Sequence, residues 1–287
     1  MNNDHGVGII IILGIIAIAL FGGIKGVSNN GLISSGKATP EQKIQATQAQ
    51  VENLKQQLQV EEDKKNQSEY YGQVTIVYVN RSGDPSQEYI TIHANNISKT
   101  ILITGWTLKS LSSGASATIP KATVLFFTGI SNAEGNIYLS PLETVYLVTG
   151  LAPNGVSFKV NKCTGYLQQF QTFIPYINNQ CPRAQDEDLS AIPKRVENDA
   201  CFDYIDSIGQ CRTQTENLPA NWSYECKNFI GKKLTYSSCI DNHKNDGDFY
   251  KAEWRVYLKR NEPLWKNRRE DIVLYDLNGK VVSELKY

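Results

Sequence analysis

The hydrophobic pattern changes several times along the chain, and its first segment is the most apolar. Gly6 to Ile24 carries no charge and consists mainly of Ile, Leu, Val, Ala and Gly. An apolar run of this length spans a bilayer as a helix, so the pattern predicts a transmembrane anchor over residues 1–27. A cleaved secretory signal is the alternative, because Ala17-Ile18-Ala19 fits a small-x-small cleavage site. The absence of Lys and Arg before the run favours a retained helix.

A polar spacer and a second helix follow. Residues 28–38 are rich in Ser, Asn and Gly and predict a flexible linker. Thr39, Pro40 and Gln42 form a helix start with a capping box, and a stalk helix is predicted over residues 39–68. Its seam alternates steps of three and four, typical of a helix that packs along one partner: Ile44, Thr47, Val51, Leu54, Leu58 and Glu61. The seam is too short for a secure coiled coil, so a homo-oligomer and a single helix packed on its own domain both remain open.

From Val74 onward the apolar runs are short and separated by turn residues. Strands are predicted at Val74–Val79, Tyr89–His93, Ile101–Leu108, Thr123–Phe127, Thr144–Val148 and Ser157–Val160. Their spacing favours a β-sandwich over alternating βαβ units. Ile101–Leu108 is expected to be a central strand, with Leu102, Trp106 and Leu108 on its buried face.

The sandwich is predicted in two pieces, residues 70–181 and 251–287. In the second piece, Glu253–Lys259 alternates, with Trp254, Val256 and Leu258 inward and Arg255, Tyr257 and Lys259 outward. Strands at Ile272–Asp276 and Lys280–Leu285 flank Asn278-Gly279, a pair that favours a type I′ hairpin turn.

Residues 182–250 are predicted to be a helical insertion, with helices at Pro193–Ile208 and Pro219–Leu234. All six cysteines of the chain lie between Cys163 and Cys239. An even, clustered set downstream of a membrane-targeting segment indicates disulfides, whereas zinc would need ligand spacings that are missing. For an antiparallel helix pair we expect bonds Cys211–Cys226 and Cys201–Cys239, which leaves Cys163–Cys181 for the sandwich. Six cysteines allow fifteen pairings, so this connectivity is one choice among many.

Four stretches together resemble the lamin-tail domain. They are Glu88–Asn95 (EYITIHAN), Ile101–Leu108 (ILITGWTL), Ser140–Tyr146 (SPLETVY) and Asn267–Val282 (NRREDIVLYDLNGKVV). The resemblance covers Tyr70 to Cys181 and Trp254 to Tyr287. It implies an immunoglobulin-like sandwich that serves as a binding or structural module in nuclear lamins and in prokaryotic surface and secreted proteins. The chain departs from the pattern in its large insertion and in having no long rod, so lamin-specific partners are not implied.

The expected fold is therefore mainly β. An immunoglobulin-like β-sandwich carries an inserted disulfide-linked α-helical subdomain, and a transmembrane helix and a stalk helix precede it. Lys25, Lys37 and Lys43 follow the apolar run, and by the positive-inside rule they favour a cytoplasmic C-terminal domain. The clustered cysteines favour a domain outside the cytoplasm. We predict a single-pass cell-membrane protein with its C-terminal domain extracytoplasmic.

Two stretches indicate candidate binding sites. Asn242 to Glu253 resembles a calcium loop, with Asp246, Asp248 and Glu253 as ligands, although Lys244 stands where a ligand oxygen belongs. A solvated turn is the alternative. Six basic residues near the C-terminus form a candidate polyanion surface: Arg255, Lys259, Arg260, Lys266, Arg268 and Arg269. An ordinary charged strand face is the alternative there. Asp186-Glu187-Asp188 is interpreted as a solvated acidic stretch.

No recognisable catalytic motif surrounds His5, His93 or His243, and no phosphate loop is present. The net charge is zero, so no global field selects a charged partner. We therefore predict a non-enzymatic structural or binding protein of the cell surface, without a cofactor, whose partner is an unknown surface protein or polymer. Nucleic-acid or polyanion binding near Lys259 is the alternative, and a pilin-like filament subunit is a weaker one.

Overall fold

A computed structural model describes residues 39–95 and 97–287 of the chain. The predicted anchor at Gly6 to Ile24 and the spacer at 28–38 lie outside these residues. Among the described helices, none combines the length and the apolar character that a membrane crossing requires. Contacts divide the chain into two units, residues 1–58 and 59–287.

Helix α1 spans Pro40–Asn66 and begins as the sequence predicts. The Thr39 amide donates to Gln42 Oε1 at 3.0 Å, and the Gln42 amide donates to Thr39 Oγ1 at 3.4 Å. These reciprocal bonds satisfy two amides that the first turn leaves without partners. No residue of α1 is buried; of the predicted seam, Val51 is partly buried and the other five residues are exposed.

The remaining described chain is β-rich, with eleven strands. They are β1 (Val74–Asn80), β2 (Tyr89–Ala94), β3 (Ile101–Leu102), β4 (Thr107–Ser110), β5 (Ser116–Thr118), β6 (Tyr138–Leu139), β7 (Thr144–Val148), β8 (Phe158–Asn161), β9 (Tyr250–Tyr257), β10 (Asp271–Tyr275) and β11 (Val281–Lys286). One sheet has the order β1-β2-β7-β9-β8 and another has the order β11-β10-β4-β5, while β3 pairs with β6. Among these eleven strands, β7 and β9 are the one pair that runs in parallel.

Both larger sheets contribute to one apolar core. Ile90 and Val256 from the first sheet and Leu108 and Leu274 from the second belong to a single buried cluster, together with Trp106. The two sheets therefore face each other across this core, because each strand alternates one buried side with one outer side.

The predicted central strand at Ile101–Leu108 is wrong as a continuous element. It breaks at Gly105, so β3 pairs with β6 while β4 pairs with β5 and β10. Gly105 has φ +90°, a backbone conformation that residues with a side chain rarely adopt, so glycine is strongly favoured at this break. Trp106 and Leu108 are buried as predicted, whereas Leu102 is only partly buried.

Two other local predictions also change. Thr123–Phe127 is no strand; this stretch contributes only an isolated bridge from Thr123 to Phe158. The β10–β11 hairpin forms as predicted, but its turn is not type I′, because a type I′ turn centred on Asn278-Gly279 needs a positive φ at both residues and only Gly279 has one. The Gly279 amide donates to the Asp276 carbonyl at 3.1 Å, as in a type I turn followed by a left-handed glycine.

The insertion contains three short α-helices. They are α2 (Asp199–Ser207), α3 (Tyr224–Asn228), which continues into a π-helical turn at Phe229–Lys233, and α4 (Tyr236–His243). The first two lie inside the predicted helices and are shorter. Helix α4 was missed, although Thr235 caps it by accepting the Ser238 amide at 3.2 Å and Tyr236, Cys239 and Ile240 have helical spacing.

The six cysteines form three disulfides, but the predicted connectivity is wrong. The bonds are Cys163–Cys239, Cys181–Cys211 and Cys201–Cys226. The insertion is not a simple antiparallel helix pair, since α4 brings Cys239 back to Cys163 at the end of β8. Cys201 and Cys226 are buried in a cluster made by α2 and α3. Gly165 packs against the Cys181–Cys211 bond, where a Cβ would overlap Cys211 Sγ.

Strand β9 is buried on both of its faces. Trp254 and Val256 face the sandwich core as predicted, but Arg255 and Tyr257 are also buried, at 2% and 1% exposure. Tyr257 joins a second apolar cluster with Phe158, Phe173 and Ile240, so residues after β8 and from the insertion cover the outer face. The prediction that Arg255 and Tyr257 point to solvent is wrong for this reason.

Candidate functional site

The insertion contains a cleft of about 620 Å³, which we call the acidic cleft. Its walls are the segment after the turn at Ala184–Asp186, the start of α3 and the end of α4. Four carboxylates, one lysine and one histidine line it, with Tyr224 and Phe229 as apolar surface: Asp186, Glu187, Asp188, Glu225, Lys233 and His243. Ser223 positions the start of α3 by accepting the Cys226 amide at 3.3 Å.

His243 sits between two carboxylates at the edge of this cleft. Its Nε2 lies 3.0 Å from Glu187 Oε1, and its Nδ1 lies 2.9 Å from Asp246 Oδ2. Asn242 Nδ2 donates to the other Glu187 oxygen at 3.1 Å. The Glu187 side chain is only 7% exposed, so the interpretation of residues 186–188 as uniformly solvated is wrong at Glu187.

Opposing effects act on the pKa of His243. Burial pushes this pKa down, but the contacts with Asp246 and Glu187 outweigh burial and raise it above the usual value. The pKa of Asp246 falls, because Lys162 first and His243 second stabilise its carboxylate. When His243 is protonated, it forms a charged contact with the two carboxylates between the end of α4 and the segment before α2.

The structure does not gather the predicted calcium ligands. Lys162 Nζ lies 2.8 Å from Asp246 Oδ2 and 2.6 Å from Asp248 Oδ1, so an ammonium group occupies the position between these carboxylates. Glu253 instead pairs with Arg255, at 2.6 Å. Within residues 39–95 and 97–287, no three metal-ligating side chains converge on one point.

Arg255 is a buried structural residue, so its place in the predicted polyanion surface is wrong. Its Nε donates to Glu253, and its two terminal nitrogens donate to the carbonyls of Pro175 and Tyr176. Its guanidinium also lies 4.5 Å from the centre of the Tyr146 ring. The side chain thereby ties β9 to the segment that leads into the insertion.

The other five predicted basic residues divide into two groups. Lys259 Nζ lies 3.9 Å from Glu134, and Arg260 donates to the Ser116 carbonyl at 3.3 Å. Lys266, Arg268 and Arg269 are exposed on one loop between β9 and β10. We call residues 266–269 the basic loop.

Three tyrosines form a row on the outer face of the five-stranded sheet, which the sequence analysis missed. The ring centres of Tyr78 and Tyr89 are 5.9 Å apart, and those of Tyr89 and Tyr146 are 6.0 Å apart. Arg255 lies at the end of this row. The three tyrosines come from β1, β2 and β7, so no spacing within one segment reveals the row.

The chain matches no protein-family model and no curated protein. Its chemistry therefore has to be argued from the side chains themselves. Both ring nitrogens of His243 are engaged, and His93 Nδ1 lies 3.2 Å from Thr144 Oγ1. His5 lies outside the described residues. The acidic cleft is suited to a cationic group, since its carboxylates outnumber its basic side chains.

Proposed function

We propose that the protein is a non-enzymatic structural or binding module of the cell surface. In this proposal an N-terminal segment anchors it in the membrane, and an immunoglobulin-like, lamin-tail-like sandwich is displayed outside the cytoplasm. The observation that carries the proposal is that all six cysteines form disulfides, because such bonds persist in oxidising compartments.

The buried polar groups support a structural role over a catalytic one. Glu88 accepts from Thr149 Oγ1 at 2.7 Å and from the Leu264 amide at 2.6 Å. Glu270 accepts from Ser110 Oγ at 2.8 Å. These carboxylates attach loops to the sandwich through hydrogen bonds, and their donors are hydroxyl and amide groups that do not titrate near neutral pH. His243 is held in the same way at both nitrogens, which leaves it no free nitrogen for proton transfer.

Thiol labelling of intact cells tests the location. The full chain would be treated with a membrane-impermeant maleimide, before and after an impermeant reductant. On intact cells we expect no labelling of the native cysteines before reduction. After reduction, lysis and unfolding, all six cysteines should be labelled. The variant Asn261→Cys adds one exposed thiol outside the insertion, and we expect it to react on intact cells without reductant.

The opposite results would overturn the proposal. Free native thiols in freshly lysed cells would show that the disulfides do not form there. An Asn261→Cys thiol that reacts only after lysis would place the sandwich inside the cell.

A further inference from the structure

The basic side chains of the basic loop form no ion pair with an acidic side chain of the described residues. The ion pairs in residues 39–95 and 97–287 include none with Lys266, Arg268, Arg269 or the neighbouring Arg81. The chain as a whole has no net charge. Positive charge at this loop is therefore balanced elsewhere on the molecule, and the acidic cleft is one such place.

The basic loop is held rigidly in position. Arg81 donates to the Asn267 carbonyl at 3.2 Å, and Lys266 Nζ donates to the Ser112 carbonyl at 2.8 Å. Ser112 Oγ donates a hydrogen bond to the Arg269 carbonyl at 2.8 Å. Arg269 has φ +55°, a conformation that is costly for a non-glycine residue. A loop ordered in this way loses little further entropy when it binds.

The loop lies at the end of the sandwich away from the point where the chain leaves α1. Strand β10 begins at Asp271, beside the loop, and ends at Tyr275. Ser68, just after α1, donates to Asp276 at 2.6 Å, beyond the other end of β10. Five residues of strand separate the two places by about 15 Å. The residues of the basic loop are exposed at this end of β10.

The acidic cleft has the shape and chemistry to receive an arginine-bearing loop. Its exposed Asp188 and Glu225 form no ion pair within the described residues. Tyr224, 71% exposed at the rim, offers a ring on which a guanidinium can stack. A volume of about 620 Å³ accommodates more than one long side chain. Arginine binds a carboxylate through two parallel hydrogen bonds, so the contact has a defined geometry as well as charge attraction.

We propose that the basic loop of one copy docks into the acidic cleft of a second copy. The occupant is this chain itself, since the two surfaces are complementary in charge and belong to one neutral molecule. The two surfaces differ, so the contact is head-to-tail, and repetition builds a ring or an open chain of copies. This contact would give the surface module a partner, a second copy of itself. It rests on the proposed function only because membrane anchoring would place copies side by side.

Sedimentation of the full chain in non-ionic detergent tests this contact. We expect the average mass to rise with protein concentration at about 50 mM salt and to fall at about 500 mM salt, where exposed charges are screened. The paired change Arg268→Glu with Arg269→Glu should weaken association roughly 100-fold, because like charges then face each other. Asp188→Lys with Glu225→Lys should weaken it equally.

Combining these variants gives the sharpest test. A mixture of the two paired variants should regain association beyond the dimer, because the arginine loop of one fits the acidic cleft of the other, and the glutamate loop fits the lysine-bearing cleft. All four changes in one chain should restore association. The control Lys99→Glu with Lys121→Glu changes the net charge as much as the loop variant does, at exposed residues elsewhere, and should associate as the unchanged protein does.

Three results would overturn the inference. They are unchanged association in either paired variant, equal loss in the control, or failure of the four-change chain to associate while its circular dichroism and disulfides are native. Association that appears only when duplex DNA is added would instead assign the basic loop to nucleic acid. None of these results bears on the thiol labelling, so failure here and failure of the surface location are distinguishable.

Discussion

Replacing Arg255 by alanine should destabilise the sandwich strongly, although the sequence pattern places this residue on the surface. The side chain is 2% exposed, and its guanidinium bonds Glu253 Oε1 at 2.6 Å and the Tyr176 carbonyl at 3.1 Å. It also donates to the Pro175 carbonyl. Arg255→Ala therefore leaves a carboxylate and two carbonyls without their donor.

The expected loss is about 3 kcal/mol of unfolding free energy, at the low end of the range for breaking a buried ion pair. The low end applies because Glu253 is still 25% exposed and water can reach its carboxylate. An exposed surface arginine would cost less than about 0.5 kcal/mol. Arg255→Lys should fall between these values, since it keeps the charge but not the planar fork.

Urea unfolding followed by circular dichroism measures this difference. With a slope of about 3 kcal/mol/M, the midpoint of Arg255→Ala should fall by about 1 M at unchanged slope. Arg268→Ala is the matched control, because Arg268 is exposed on the basic loop. A loss below about 1 kcal/mol for Arg255→Ala, or an equal loss for Arg268→Ala, would refute the structural role of the buried guanidinium.

Two further predictions concern the insertion. Removing the Cys163–Cys239 bond, which spans 76 residues, should lower the free energy of unfolding by about 4.5 kcal/mol by chain entropy, and removing Cys201–Cys226, which spans 25, by about 3.5 kcal/mol. Peptide mapping without reduction should recover these pairs, and a Cys163–Cys181 peptide would contradict the fold. The raised pKa of His243 means that its contribution is complete below the unfolded value of 6.5 and is lost as pH rises through the folded pKa. Urea midpoints should therefore fall as the pH rises above about 6.5 in the unchanged protein but not in His243→Gln, and equal falls in both would contradict the histidine contact.

Local signals in the sequence predict the local structure well. The capping box at Thr39 and Gln42 forms because its donors and acceptors are three residues apart, within one helical turn. Most strands from β1 to β11 overlap predicted runs, since alternation along a strand reflects its two faces. Trp106 is buried as expected. These features depend on neighbours in the chain.

Properties that depend on what packs over a strand were not predictable in this way. Alternation places Arg255 on the outer face of β9 correctly, but it carries no information on whether another segment covers that face. The same holds for the cleft, where Glu187 and His243 meet from separate segments, and for Asp246, which contacts both His243 and Lys162. Their contact is set by how the insertion folds back across the sheet.

The sequence alone determined the β-rich class, the capped helix, and that the six cysteines pair with one another. The tertiary structure decided which cysteines pair, because α4 returns Cys239 to Cys163 in space. It also decided that Lys162, and not a metal ion, lies between Asp246 and Asp248. Hydrophobic periodicity distinguishes the two faces of one helix or strand. The cysteine pairing and the Lys162 contacts depend on where separate elements lie relative to one another, which is set only by the long-range packing of the folded chain.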